Sequence, residues 1–275
     1  MAVSWSGLAT RVCTALVMVT VFLTLVWVPA LHWAFACFIA LLCAIGLSEL
    51  NTMFVAKGEY SPHVLGFPLT VGIVLAAAWG GSMYLHFALF IGIVILFFAQ
   101  ITTPPVTHKS LTNTLFGMVY LPWFGGHLIM IHGIENIGPG LVTLLIFIVS
   151  GTDVGAYFTG KTLGKHKLAP VVSPNKTWEG ALGGVGLAVV SMAVAYALKQ
   201  RYGWSGLPEW TLAKYASIGL VLSMVSQVGD LVESSLKRDA GIKDSGSILP
   251  GHGGILDRCD GFLFAIPGMF YLLQW

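Results

Sequence analysis

The sequence is a succession of apolar segments, each close to 20 residues long. We delimit nine of them, at residues 11–28, 30–48, 64–80, 83–100, 111–132, 140–159, 180–198, 211–230 and 255–273. Segments of this length can cross the hydrocarbon core of a bilayer as helices. Backbone polar groups in lipid must be satisfied within the segment, and no alternating barrel pattern occurs. The sequence therefore predicts an all-α, polytopic membrane helix bundle with about nine transmembrane helices and cytoplasmic polar loops.

Charged side chains are scarce and unevenly placed. They make up 9% of the chain, whereas soluble domains carry roughly a quarter. Residues 1–150 hold three basic and three acidic side chains, and residues 151–275 hold the other eleven and nine. We predict N-terminal membrane scaffold helices at 1–139 and a catalytic membrane region at 140–275, with cytoplasmic loops 160–179 and 231–254. The net charge of +2 indicates little, and no nucleic-acid partner is predicted.

The basic residues predict the orientation. With the N-terminus in the cytoplasm, the inside segments carry eleven lysines and arginines, and the outside segments carry only Lys199, Arg201 and Lys214. Basic residues are concentrated on the cytoplasmic side of membrane proteins. The chain is thus predicted to be a multi-pass protein of the cytoplasmic (inner) membrane, with both long polar loops, and the active site, on the cytoplasmic side.

One polar stretch, residues 229–261, holds five of the six aspartates. Charge at a membrane boundary is costly unless it is paired, metal-bound or hydrated, so the stretch is a candidate functional site. Acids can hold a cation, bases can neutralise phosphate, and glycines let backbone N–H groups approach closely. Asp257 and Asp260 stand three residues apart on one helical face, which suits one or two cations. The alternative is a local salt bridge with Arg258.

A second polar stretch covers residues 150–180. Asp153 follows Ser150 by three residues and precedes Tyr157 by four, so the three share a helix face. The alternative for Asp153 is a packing partner on a neighbouring helix. The lysines after this span suit phosphate, but they are also typical of a topology signal or an anionic-lipid contact. Ser173 is predicted to cap a helix that begins near Pro174.

The polar residues also carry a resemblance. Residues 234–260 read SSLKRDAGIKDSGSILPGHGGILDRCD. This segment resembles the signature of the phosphatidate cytidylyltransferases, also called CDP-diacylglycerol synthases. Residues 153–179 are similar to the same family, whereas the spans before residue 140 resemble it only in hydropathy.

The resemblance implies that CTP and phosphatidic acid give CDP-diacylglycerol and pyrophosphate, with a divalent cation. It implies Asp230, Asp257 and Asp260 as ligands of Mg²⁺; a second cation and a homodimer stay open. The residues assigned to catalysis are Lys237, Arg238, Asp257, Arg258 and Asp260. The residues assigned to substrate binding are Ser150, Asp153, Tyr157, Lys161, Lys167, Ser173, Asn175, Lys176, Thr177, Glu179, Lys243, Asp244, His252, Gly253 and Gly254.

The predicted mechanism is in-line attack of the phosphatidate phosphate on the α-phosphorus of CTP. A phosphomonoester has its second pKa near 6, so the nucleophile is largely ionised at neutral pH and no general base is required. Two alternatives remain from the residues alone. A CTP-dependent lipid kinase would share the spans, the basic loops and the metal, but would need a base. An ion or phosphate transporter would use the aspartates to line its pathway.

Overall fold

The structure is a computed structural model that describes residues 5–59, 63–104, 106–248 and 253–274, with side chains from residue 16 onward except that of His63. The helices are α1 (Trp5–Trp27), α2 (His32–Ala56), α3 (His63–Thr102), α4 (His108–Met118), α5 (Phe124–His132), α6 (Gly138–Leu163), α7 (Trp178–Tyr202), α8 (Leu212–Asp239) and α9 (Leu256–Leu272). Within the described residues, six helical segments are long and apolar enough to cross a membrane. The predicted all-α polytopic fold is confirmed.

The helix α3 contains two predicted spans. Gly80 and Gly81 leave the helical conformation, and Gly81 has φ +66°, which a residue with a side chain rarely adopts. A Cβ atom on Gly92 would lie 3.2 Å from Ile73 Cδ1. In one straight helix these positions would be roughly 28 Å apart, at about 1.5 Å per residue. The two arms of α3 therefore fold back on each other, as the separate spans 64–80 and 83–100 predict.

The predicted span 111–132 is also divided. A π-helical turn at Val119–Trp123 joins α4 to α5 and contains Pro122. Proline cannot donate the backbone bond that a regular helix requires, and a π turn is one way to accommodate it. The segment His108–His132 still counts as one apolar span.

The chain forms two compact units, and each is described by itself. The first comprises Met1–Met130 and Asp239–Cys259, and the second comprises Ile131–Arg238 and Asp260–Trp275. In the first unit α2 packs against the π-helical turn: a Cβ on Gly46 would lie 3.2 Å from Leu121 Cδ2. The predicted division at residues 139 and 140 concerns function and stays a prediction.

Glycines bring α6 and α7 together in the second unit. A Cβ on Gly155 would lie 2.5 Å from the Gly183 carbonyl oxygen, and a Cβ on Gly184 would lie 2.7 Å from that of Thr152. Small residues of this kind let membrane helices approach backbone to backbone. The helix α8 joins them through the Thr152 hydroxyl, which donates to Ser223 Oγ at 2.7 Å. These contacts hold together α6, α7 and α8, the helices that carry polar residues of the predicted site.

The polar loop after α6 forms a small antiparallel hairpin. Its strands are β1 (Lys167–Ala169) and β2 (Ser173–Thr177), with Lys167 opposite Thr177 and Ala169 opposite Ser173. The prediction that Ser173 caps a helix from Pro174 is wrong, because residues 173–177 pair as a strand instead. Thr177 is the cap: it has extended backbone angles, and its hydroxyl accepts from Gly180 N at 3.1 Å.

Candidate active site

A polar face runs along α6 in the second unit. Ser150, Asp153 and Tyr157 all lie on this helix and are all exposed. Their spacing puts them on one face, as predicted. Lys161 extends the face by one more turn, because its Nζ lies 3.4 Å from the Tyr157 hydroxyl and 5.5 Å from the centre of the ring. The face thus carries one acidic group, Asp153, and one basic group, Lys161, on the half of α6 that leads into the hairpin.

Lys176 on β2 forms an ion pair with Asp230 on α8. Both side chains are partly exposed, at 27% and 29%. The Ser234 hydroxyl, one turn further along α8, donates to Asp230 Oδ1 at 3.4 Å. No spacing in the sequence joins residue 176 to residue 230, yet the fold places their charges in contact. The two polar stretches therefore meet in the second unit at this pair.

Asp260 lies beside this pair, where α9 packs closely against Gly229 of α8. A Cβ on Gly229 would lie 2.6 Å from the Asp260 carbonyl oxygen, so only glycine permits the approach. The negative charges of Asp230 and Asp153 act on the Asp260 carboxylate, and the positive charge of Lys237 opposes them. Three carboxylates from α6, α8 and α9 thus share one electrostatic environment.

Lys237 is held by its own helix. Its Nζ lies 2.6 Å from Glu233 Oε2, one turn earlier on α8, and the Glu233 side chain is fully buried. A buried carboxylate next to an ammonium group fixes that group in place, because leaving either charge without the other is costly. Arg238, the next predicted basic residue, is exposed at the end of α8. The site therefore has one fixed and one exposed base on neighbouring positions.

In the first unit, the start of α9 holds Asp257. Its Oδ2 accepts hydrogen bonds from Gly254 N at 2.8 Å and Ser245 N at 2.9 Å, and it lies 3.0 Å from the Ser245 hydroxyl oxygen. Gly253 has φ +82°, and a Cβ there would lie 2.7 Å from the same oxygen. The backbone N–H groups of the loop thus orient the Asp257 carboxylate. A side chain at residue 253 would occupy the space of the carboxylate oxygen that they bind.

The donor chemistry suits a hard divalent cation, because Asp153, Asp230, Asp257 and Asp260 offer only oxygens. In the part of the chain that the structure describes, no group of three or more His, Cys, Asp or Glu side chains is arranged to hold a metal ion. Asp230 directs one oxygen at Lys176 instead. The set of Asp230, Asp257 and Asp260 as metal ligands stays a prediction.

Comparison with known proteins gives one consistent result. A family model described as the cytidylyltransferase family matches residues 9–275. A phosphatidate cytidylyltransferase of Bacillus subtilis is 35% identical over 268 residues, 96% of each chain. One of Brucella suis is 36% identical over 97% of this chain and 93% of its own, and one of Staphylococcus aureus is 33% identical over 96% and 98%.

The chain belongs to the cytidylyltransferase family. The resemblance drawn from residues 234–260 is thereby confirmed, and the enzyme prediction with it. The match extends across the apolar spans of the first half, where hydropathy alone gave no specific signal.

Glu179 and Thr177, which are predicted to bind substrate in this cytidylyltransferase, also have partners that shape the loop. Glu179 Oε2 accepts from the backbone N of Lys165 at 3.1 Å and of His166 at 3.2 Å, and its Oε1 lies 2.6 Å from His166 Nδ1. Glu179 thus fastens the loop before β1 to the first turn of α7. Thr177 is buried and caps the same helix. Both shape the hairpin that carries Lys176.

The remaining predicted residues divide by exposure. Exposed positions offer groups that a substrate can reach, and they are Lys167, Asn175, Lys243, Asp244 and Arg258. Ser173 and Gly253 are partly buried, and Gly254 is buried. His252 lies outside the described residues.

Sequence reasoning missed Glu49 and Ser245, two residues of the first unit that contact each other and, through Ser245, Asp257. Both are buried, at 5% and 6% exposure, and the Ser245 hydroxyl donates to Glu49 Oε2 at 2.9 Å. Glu49 is one of only three acidic residues in the first 150 positions and stands at the end of an apolar span. The isolated charge could have indicated that Glu49 has buried partners, because a carboxylate inside a membrane or at its boundary needs them.

Proposed function

We propose that this cytidylyltransferase transfers the cytidylyl group of CTP to phosphatidic acid in the inner membrane, giving CDP-diacylglycerol and pyrophosphate. The observation that carries the proposal is the contact of Lys176 with Asp230 beside Asp260, which gathers acidic and basic groups at one point of the second unit. Relatives that match almost the whole chain carry the name phosphatidate cytidylyltransferase, which supports the substrate pair.

In the proposed step, a phosphatidate phosphate oxygen attacks the α-phosphorus of CTP. One P–O bond forms, the bond between the α-phosphorus and the bridging oxygen breaks, and pyrophosphate leaves with the electron pair. The nucleophile is already ionised near neutral pH. The barrier then lies in bringing two anions together, so positioning and charge neutralisation are the main contributions. Lys237, Arg238 and Arg258 are the side chains proposed to neutralise the phosphates.

A division of the site follows from the two polar stretches. The loop from Lys161 to Glu179 is proposed to hold the CTP phosphates, and residues 230–260 are proposed to hold the phosphatidate at the cytoplasmic leaflet. Asp230, Asp257 and Asp260 are the proposed ligands of Mg²⁺, which typically binds few carboxylates together with waters and substrate phosphates. When bound, the cation would supply further neutralisation of phosphate charge.

Labelled CTP tests the reaction directly. Purified protein in detergent is given defined phosphatidic acid, Mg²⁺ and CTP labelled either in the α-phosphate and cytidine or in the γ-phosphate. We expect the α-phosphate and cytidine labels to enter the lipid together, and the γ label to appear only in pyrophosphate. Transfer of the γ label to a lipid would indicate a kinase. Phosphate or ion flux in liposomes without CTP turnover would indicate a transporter.

Asp260→Asn is the sharpest variant for the carboxylates. It removes a charge without changing side-chain size. Losing a ligand of the proposed cation weakens the neutralisation of the transition state, and such a loss typically lowers turnover about hundredfold or more. Glu135→Gln is the matched control, because Glu135 is exposed in the turn before α6. We expect both proteins to purify and only the control to keep full turnover at saturating Mg²⁺. Asp260→Asn activity within tenfold of wild type would remove this residue from the site.

A further inference from the structure

Glu49 is a buried carboxylate on α2 that the proposed chemistry does not use. It is 5% exposed and belongs to the first unit. Burying a charged carboxylate is costly unless its oxygens are hydrogen-bonded. Three donors satisfy it, one from the polar loop before α9 and two from the start of α9. Oε1 accepts from Ile255 N, and Oε2 accepts from Leu256 N and the Ser245 hydroxyl, each at 2.9 Å.

Two of these donors stand at the start of α9. The first backbone N–H groups of a helix have no partner within the helix, and a carboxylate placed there also interacts favourably with the helix dipole. Glu49 therefore acts as the N-terminal cap of α9, although it is 206 positions away from Ile255 in the chain. The first turn of α9 carries Asp257.

The loop is shaped around this carboxylate. A Cβ on Gly254 would lie 2.6 Å from both Glu49 oxygens, and a Cβ on Gly246 would lie 2.5 Å from Oε1. Real Cβ atoms essentially never come so close, so both positions require glycine while Glu49 occupies its place. Both glycines belong to the segment that resembles the family signature. The position of Glu49 is thus a structural reason for both glycines, and the assignment of Gly254 to substrate binding stays a prediction.

Ser245 connects Glu49 to Asp257. Its hydroxyl oxygen lies 2.9 Å from Glu49 Oε2 and 3.0 Å from Asp257 Oδ2. A hydroxyl has a single proton, which it can donate to only one of these carboxylates at a time. Glu49 thus acts on Asp257 in two ways. It contacts Ser245, which orients the Asp257 carboxylate, and it caps the start of α9, which carries Asp257.

The loop is attached to α2 a second time. Lys57, just beyond the end of α2, forms an ion pair with Asp239 at the other end of the loop. The hydrogen bond to Asp239 raises the pKa of Lys57 above its ordinary value. This second attachment is exposed, so by contrast with Glu49 it contributes little to rigidity.

We propose that Glu49 is a positioning residue of the transfer reaction: it fixes the first turn of α9 and the Ser245 bridge, and thereby holds the Asp257 carboxylate in its working orientation. The inference rests on the proposed function, because Asp257 is assigned there to the site. A small misplacement of a reacting group can lower turnover about hundredfold. Glu49 therefore affects the rate without touching either substrate.

Glu49→Gln tests the inference. The amide keeps the size of the side chain but places an NH₂ group against a backbone N–H, where an acceptor is needed. We expect kcat to fall about tenfold to hundredfold, as for a displaced catalytic group, while the apparent KM values for CTP and phosphatidic acid change less than twofold. Glu49→Asp, which keeps the charge, should recover part of the rate, and Glu135→Gln should match wild type. A merely structural role would lower yield and thermal stability but leave the kcat of the folded protein unchanged.

Ser245→Ala provides the second measurement. It removes the bridge but leaves the Glu49 bonds to Ile255 and Leu256, so we expect a folded protein with reduced kcat. In the double variant with Glu49→Gln, the losses should not add, because residues of one network are coupled. If Glu49→Gln folds and its kcat is unchanged, the inference is overturned while the proposed function stands. If Glu49→Gln does not fold, unchanged kcat in Ser245→Ala overturns the inference in the same way. Absence of cytidylyl transfer by wild type in the same assay would overturn the proposed function and the role of Glu49 together.

Discussion

At the scale of single residues, two ion pairs restrain lysines of the candidate site. Lys176 is held by Asp230, and Lys237 is held by the buried Glu233. Restrained bases can face phosphate without having to be ordered when the substrate arrives, which lowers the entropy cost of binding. The lysines also offset part of the negative charge in a region where Asp153 and Asp230 both act on Asp260 and Lys237 opposes them.

Lys176→Ala separates the two substrates. If Lys176 binds the CTP phosphates in the ground state and the transition state alike, the variant should raise the apparent KM for CTP about tenfold to hundredfold and lower kcat less, since a lost charged hydrogen bond typically corresponds to about 1.5–3 kcal/mol. The dependence on phosphatidic acid should barely change. Arg201→Ala is the control, an exposed base at the far end of α7 and outside the loop that is proposed to hold CTP. A phosphatidate defect with normal CTP dependence would reverse the proposed division, and unchanged kinetics would leave Lys176 as a topology signal.

At the scale of helices and strands, the sequence predicted what depends on local pattern. Each of the nine predicted spans coincides with a helical segment, including the two arms of α3, because length and hydropathy are properties of the segment itself. The hairpin was not predicted, since β1 and β2 are only three and five residues long and carry no alternating apolar pattern. The bonds of Glu49 to α9 join residues about two hundred positions apart, and no spacing rule extends that far.

The packing of α6 on α7 gives a prediction at this scale. A Cβ on Gly155 would lie 2.5 Å from the Gly183 carbonyl oxygen, so Gly155→Ala must push two backbones apart. Overpacking of this kind typically costs about 1–3 kcal/mol. The control is Gly186→Ala on α7, where nothing lies within 4 Å of the added atom. Thermal unfolding in detergent should show a lower midpoint for Gly155→Ala only. Equal midpoints would mean that the helices can separate there at no cost.

At the scale of the whole molecule, acidic chemistry is confined to a few positions of an apolar chain. Five of the six aspartates lie in residues 229–261. Within the second unit the sixth aspartate, Asp153, acts on Asp260, and within the first unit the buried Glu49 accepts a hydrogen bond from the start of α9. The remaining sequence supplies apolar helices that cross the bilayer. Such a distribution suits an enzyme whose lipid substrate keeps its acyl chains in the membrane while its phosphate reacts at the boundary. The side of the membrane on which the site lies then decides which leaflet supplies the lipid.

The orientation of the chain is testable by cysteine labelling. Single cysteines at Ser173 in β2 and Ser247 in the loop before α9 are introduced after the four native cysteines have been replaced, and Ser205→Cys marks the opposite side. Basic residues favour the cytoplasmic side, so a membrane-impermeant maleimide applied to spheroplasts should label residue 205 at once, and residues 173 and 247 only after permeabilisation. All three positions lie outside the helices, and Ser205 and Ser247 are exposed. Labelling of 173 and 247 in intact spheroplasts would place the site on the outer leaflet, where the cell's CTP cannot reach it, and would contradict the proposed topology and the proposed reaction together.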